Sequence, residues 1–210
     1  MSAKAAGENL LSTSYAPYML FYHLIMANME HPTRAEALSA GINDLTISIK
    51  LLLDNRHTVP ALMVLYGSID FFGSVLRPET EVDTVGKTRQ YFKKWVEHYM
   101  VGQSHLAFTP EELWGARCGL LHARTASSKI SRDAKGRELH YTRGNLPQEM
   151  QQKLKIVSSK GKKLFIDVDL LYEAFKKGIE RFLANIQNDR NLEKRALHHA
   201  SKILGVWRYV

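Results

Sequence analysis

Apolar residues recur every three or four positions through the first two thirds of the chain, the period of a helix with one buried stripe. Residues 15–29 are apolar and aromatic, and they predict an N-terminal helix over 14–30. Glu30-His31-Pro32 closes it, because proline cannot continue a helix. Thr33, with Glu36 three residues on, has the pattern of a capping box. The helix it opens runs to about Leu53, with Leu38, Ile42, Leu45, Ile49 and Leu52 as its buried stripe. Asp54-Asn55-Arg56-His57 is a polar break. Thr58-Val59-Pro60 opens the next helix, with proline in the tolerated first turn. Residues 61–76 are apolar nearly all round, which puts this helix at the centre of the fold. Between residues 87 and 100, Tyr91, Trp95 and Tyr99 recur every four residues, with Lys93, Lys94 and Glu97 opposite them. Thr109-Pro110-Glu111-Glu112 supplies a cap, a first-turn proline and two acids at the positive end of a helix dipole. The helix it starts carries Leu113, Trp114, Arg117, Leu120, Leu121 and His122.

After Thr125 the pattern changes. Residues 129–163 are basic and punctuated by Gly136, Gly144, Pro147 and Gly161. Segments 138–142, 154–157 and 164–168 alternate or carry β-branched residues, and they predict a small hairpin or sheet. Residues 169–186 form a long amphipathic stretch through Leu170, Leu171, Phe175, Ile179, Phe182 and Leu183, and a shorter helix follows over 191–203. There is no internal repeat. The order predicts one all-α domain over 1–210, an antiparallel helical bundle. It carries a small β-hairpin or sheet insertion at about 129–167, and helices within 169–204 close it.

The composition narrows the partners more than the fold. A chain of 210 residues, 45% hydrophobic and 24% charged, is ordinary for a soluble globular protein and long enough to bury a core. No run reaches the roughly 18 apolar residues that a membrane span needs. The first nine residues lack the basic and apolar regions of a secretory signal, so we expect a cytoplasmic protein with no membrane partner. The single cysteine, Cys118, excludes an internal disulfide and a cysteine-based zinc cluster. The net charge of +8 favours an anionic partner, nucleic acid first, although a basic surface without a specific ligand carries the same charge.

The most chemical stretch is Arg117-Cys118-Gly119-Leu120-Leu121-His122. Arginine stays protonated and forks onto phosphate, and histidine moves a proton near neutral pH. Together they suit cleavage of a phosphodiester without a metal, because RNA supplies its own 2′-hydroxyl nucleophile. On a regular helix the two side chains stand about 140° apart, so their convergence needs a reaching arginine, a distorted helix start or a second protomer. Both residues also have a structural reading, with Arg117 paired to Asp70 and His122 a satisfied core residue. Asp70 lies in the most apolar helix, where an unpaired carboxylate is costly. Either a salt bridge to Arg117 or a hydrogen bond orienting His122 satisfies it. Cys118 reads as an inert thiol rather than a nucleophile. The histidines, His140 and His198-His199 among them, lack metal-site spacing, and no cofactor is expected. Val85-Gly86-Lys87-Thr88 imitates the end of a phosphate-binding loop but lacks its earlier glycine and its strand, and reads as a turn into a helix. The basic region, with Tyr141 and Arg143, suits a nucleic-acid backbone and one stacked base, or is simply a solvated surface. Arg124 and Ser128 extend that surface. With Asp70, Tyr141 and Arg143 they are the candidate substrate-binding residues around the catalytic candidates Arg117 and His122.

The Arg-x4-His motif and the order of helices around it resemble the HEPN superfamily of small helical domains. Asn55-Arg56-His57-Thr58-Val59-Pro60-Ala61-Leu62 and Ile69-Asp70-Phe71-Phe72 are similar to the helix preceding the motif in bacterial members, and the resemblance covers about 34–187. It implies an up-and-down four-helix bundle. It also implies a homodimer with two motifs facing one cleft, and a metal-independent ribonuclease of the toxin or defence type. In that case Arg117 would hold the scissile phosphate and His122 would act as general acid or base. An RNA or other phosphate-bearing ligand and an antitoxin-type protein are the partners it implies. Other members are inactive binding domains. Cys118 departs from the pattern, since active members usually carry a polar residue directly after the arginine. That puts catalysis, rather than fold, in question.

Overall fold

The computed structural model describes residues 34–78, 80–81, 85–101, 106–123, 136–144, 146–159 and 161–203. Among them, seven α-helices and two short strands follow in the order α1 (Arg34–Asp54), α2 (Thr58–Val75), α3 (Val85–Trp95), α4 (Pro110–Cys118), β1 (Glu138–Thr142), α5 (Gln148–Ser159), β2 (Lys163–Asp167), α6 (Val168–Asn188) and α7 (Arg190–Ile203). Single π-helical turns extend α3 over Val96–Met100 and α4 over Gly119–Ala123. The chain is mostly helical, as its periodicity predicts. The helix expected over 14–30 and the Thr33 cap lie outside the described residues.

The nearly all-apolar segment is the central helix. α2 packs against α1, α3, α6 and α7. Its Leu62, Leu65, Tyr66, Ile69, Phe72 and Val75 are buried. By length and a mean hydropathy of 1.4 it also qualifies as a membrane span, but half of it is buried in the chain's own core. Around it the core is aromatic. Phe72 stacks on Trp95 with ring centroids 5.3 Å apart and planes 16° apart, and Phe175 and Phe182 of α6 close over both. α1 ends where the polar break was read. Arg56 takes φ 62, His57 N–H bonds back to the Leu52 carbonyl and Arg56 N–H to that of Leu53, a left-handed helix stop.

The β insertion differs from expectation in two ways. β1 and β2 pair in parallel, Glu138 opposite Lys163 and Thr142 opposite Asp167, so they do not form a hairpin. A parallel pair needs a crossover, and α5 supplies it. That helix includes 154–157, read from the sequence as a third strand. Its Gln, Glu, Met, Lys and Leu are good helix formers, and Glu149 bonds Lys153 one turn on at 2.5 Å, so Ile156 and Val157 do not decide the outcome. Gly144 and Gly161, on either side of α5, both take φ +82, where glycine pays no steric cost.

Three further contacts tie the insertion to the helices. The Tyr141 hydroxyl of β1 bonds the Tyr66 hydroxyl of α2. Arg143 donates to the Leu53 carbonyl at the end of α1 and to Asp169 in the first turn of α6, at 3.3 Å. Arg137, just before β1, is held by Glu112 of α4.

Two glycines on α2 have opposite surroundings. A Cβ on Gly73 would meet the Phe92 backbone nitrogen at 2.9 Å and the Tyr91 carbonyl at 3.0 Å, so α3 approaches through the space that a side chain would take. A Cβ on Gly67 would meet nothing within 4 Å among the described residues. Gly73→Ala should therefore destabilise the protein by about 1–3 kcal/mol, because backbone cannot yield as a flexible side chain can. Gly67→Ala should stabilise it by about 0.4–1 kcal/mol through the entropy of the unfolded chain. Urea denaturation midpoints of the two variants, shifted in opposite directions from wild type, check both.

Candidate functional site

The helix carrying the Arg-x4-His motif is fixed at its N-terminus first. Thr109 Oγ1 accepts from the Glu112 N–H at 3.2 Å, and Glu112 Oε2 accepts from the Thr109 N–H at 2.8 Å, the capping box that the sequence signals in part. Glu112, 5% exposed, is also the buried anchor of Arg137. Its Oε1 accepts from the Arg137 backbone N–H at 3.1 Å and from Nε at 2.6 Å, and Oε2 accepts from Nη2 at 3.0 Å. Glu111 meanwhile bonds Arg89 and, at 2.8 Å, Lys93 of α3. α4 is thus clamped to α3 on one side and to the approach to β1 on the other.

From that clamp Arg117 reaches α2. Its Nε and Nη2 donate to Asp70 Oδ2 at 2.9 and 2.6 Å, and the guanidinium lies over the Trp114 ring, 4.9 Å from its centroid. The remaining arm, Nη1, lies 3.0 Å from His122 Nε2. Arginine only donates, so Nε2 is the acceptor and the ring proton of the neutral imidazole sits on Nδ1. The π turn over Gly119–Ala123 makes this possible. It closes hydrogen bonds five residues apart instead of four, so positions 117 and 122 come round toward one face. The pair meets within one chain, and the distortion lies at the end of the helix rather than at its start, which is a regular capping box. His122 is exposed, whereas the Arg117 and Asp70 side chains keep 15% and 20% of their surface.

The electrostatics follow from this burial. Desolvation raises the Asp70 carboxyl above its ordinary 3.8, and hydrogen bonding and charge from Arg117, with His122 behind, offset the rise only in part. Oδ2 takes both guanidinium bonds, and Oδ1 is buried with no hydrogen-bond partner among the described residues. Cys118 is half-buried. Burial pushes its thiol up, with Arg117 pulling the other way, so it remains a thiol at neutral pH, the inert reading.

A groove of about 310 Å³ opens on the other side of Asp70, between α2 and α3. Gly67, Asp70, Phe71 and Ser74 line it from one helix, and Lys87 and Tyr91 from the other. No motif in the sequence announces it. Its one readable signal is spacing, since Gly67, Asp70, Phe71 and Ser74 fall at the positions of a single helix face. Val85-Gly86-Lys87-Thr88 begins α3, as its reading as a turn into a helix anticipates.

The other candidates lie elsewhere. Tyr141 turns its hydroxyl to Tyr66, and burial pushes that phenol well above its usual range. Arg143 is engaged with Leu53 and Asp169. Arg124 and Ser128 lie outside the described residues, as do the first basic positions of the insertion, Lys129, Arg132 and Lys135. Lys155, Lys162 and Lys163 are exposed, and Lys153 is exposed and paired with Glu149. Among the described residues no group of three or more His, Cys, Asp or Glu side chains is arranged to hold a metal ion. No known protein family, curated protein or solved structure matches the chain.

Glu112 generates a pH dependence. Burial alone would raise its carboxyl, but hydrogen bonds from Arg137 and from the Thr109 and Arg137 backbones outweigh burial and hold it below its ordinary 4.5. A folded value below the unfolded one stabilises the protein above the unfolded value, and that stability is lost as pH falls through the folded one. Glu112→Gln should cost about 1–3 kcal/mol at neutral pH. It should also flatten the loss of stability below pH 4.5, as read by urea denaturation across the acid range.

Proposed function

We propose that this protein acts on RNA as a metal-independent endoribonuclease of the HEPN type, with Arg117 and His122 as the catalytic residues. One observation carries the reading: an exposed imidazole whose Nε2 lies 3.0 Å from a guanidinium arm that Asp70 does not use. Phosphodiester cleavage needs this pair of groups side by side. A phosphate entering between them would replace the Arg117–His122 hydrogen bond, taking Nη1–H on a non-bridging oxygen. His122 Nε2 would then accept the proton of the ribose 2′-hydroxyl as O2′ bonds to phosphorus. The bond from phosphorus to O5′ breaks, leaving a 2′,3′-cyclic phosphate and a 5′-hydroxyl that takes its proton from solvent or a second acid. Arg117 would neutralise the charge building on the phosphoryl oxygens. Asp70 is a positioning residue here, holding the guanidinium so that one arm faces His122. A homodimer with two motifs in one cleft would supply the second acid, and it belongs to this proposal.

A non-catalytic phosphate- or RNA-binding module is the second reading. The pairing of two guanidinium nitrogens with Asp70 and the thiol of Cys118 beside the motif favour it.

The test is cleavage of a mixed RNA pool in EDTA across about pH 5 to 9. Wild type should cut, and His122→Ala should lose about 100-fold or more of the rate. Arg117→Lys, which keeps a cation for Asp70 but not the fork, should also lose activity with its circular dichroism unchanged. No cleavage by pure wild type would contradict the ribonuclease reading in favour of the binding module.

A further inference from the structure

We propose that the groove between α2 and α3 is a nucleoside-binding subsite, receiving the base next to the phosphate held at Arg117 and His122. The inference rests on the reading of that pair as a phosphate site. Asp70 is the physical link, because it lines the groove and holds Arg117 through Oδ2. A ligand filling the groove therefore lies against the far side of the residue that orients the guanidinium.

The groove has the chemistry of a nucleoside pocket. Its walls are mainly apolar, with Phe71 half-buried on one side and the Tyr91 ring on the other. A volume of about 310 Å³ admits one base with its ribose and little more. Ser74 donates its hydroxyl proton to the Phe71 carbonyl at 2.7 Å, which leaves its oxygen lone pairs to accept from a ligand N–H or O–H. At one end stand Arg77 and Lys87, with Glu81 bound to Lys87 at 2.9 Å.

Gly67 is the independent observation. It lies inside α2, is exposed, and borders the groove. Gly73 on the same helix is explained by the approach of α3, whereas among the described residues no neighbour comes within 4 Å of a Cβ at Gly67. Packing does not require glycine at this place, and the helix is weaker for it. What its bare backbone does provide is room in the groove wall for a flat ring to lie close, where every side chain larger than a methyl would intrude.

The test uses two probes on the whole chain: the uncleavable dinucleotide 2′-deoxyuridylyl-adenosine, and 2-deoxyribose 5-phosphate, which carries no base. In wild type the dinucleotide should bind more tightly than the sugar phosphate. It should also shift the amide resonances of Gly67 and Ser74, which the sugar phosphate leaves in place. Gly67→Leu should weaken dinucleotide binding by about tenfold or more. Binding of the sugar phosphate should be the same in both proteins. Gly67→Ala serves as the folded control and should stay close to wild type. Gly67→Leu binding the dinucleotide as wild type does would overturn the proposal. So would unshifted Gly67 and Ser74 amides at saturating dinucleotide, a readout that needs no variant to fold. If Gly67→Leu loses binding while RNA is not cut, the groove stands and the ribonuclease reading falls. If His122-dependent cleavage proceeds and Gly67→Leu binds normally, the ribonuclease reading stands and the groove falls.

Discussion

A carboxylate on the most apolar helix of this chain is the constraint around which its candidate chemistry is built. Asp70 on α2 calls for a cation, because an uncompensated charge on a mostly buried carboxylate is costly. The cation comes from α4, and meeting that need fixes where Arg117 points. Two guanidinium nitrogens converge on one carboxylate oxygen, Trp114 supports the plane from below, and the third nitrogen is left facing His122. The ion pair and the candidate site are therefore the same object. The structural and the functional readings of Arg117 need not compete, since pairing to Asp70 uses only one side of the fork.

That geometry depends on where α4 begins and on how it ends. Its start is fixed by Thr109, Pro110 and the doubly employed Glu112, which caps its own helix and binds Arg137. Its end loosens into a π turn, and the extra residue in that turn brings His122 back toward Arg117. A regular helix with the same sequence would have turned the imidazole away. Similar logic holds the insertion in place. Tyr141, Arg143 and Arg137, polar residues of a region that looks solvated, all bond inward to helices.

Most helices are legible because each carries a local signal: the stripes of α1 and α6, the proline and acids that open α4, the all-round apolarity of α2. The carboxylate at position 70 announced its need for a partner, and Arg117 was one of two named. What could not be read were the features set by non-local contacts. The parallel pairing of β1 and β2 depends on α5, whose Ile156 and Val157 look like strand residues until the helix formers around them are weighed. The second role of Glu112 depends on Arg137, 25 positions away. The π turn has no residue signature, and the groove beside Asp70 is made by two helices whose facing residues are ordinary in each. Tyr141 and Arg143 show the reverse case. Basic and aromatic residues in a polar region suggest a ligand, yet burial and nearby carbonyls or carboxylates engage them first.

The central claim is that the π turn brings Arg117 and His122 together in a single chain. The most direct measurement is the tautomer of His122, read from the nitrogen chemical shifts of its ring at a pH where it is neutral. Donation from Arg117 to Nε2 predicts a proton on Nδ1, and Arg117→Lys should relax that preference. A neutral His122 carrying its proton on Nε2, with no response to Arg117→Lys, would mean that the two side chains do not meet. It would remove the geometric basis for treating them as one site.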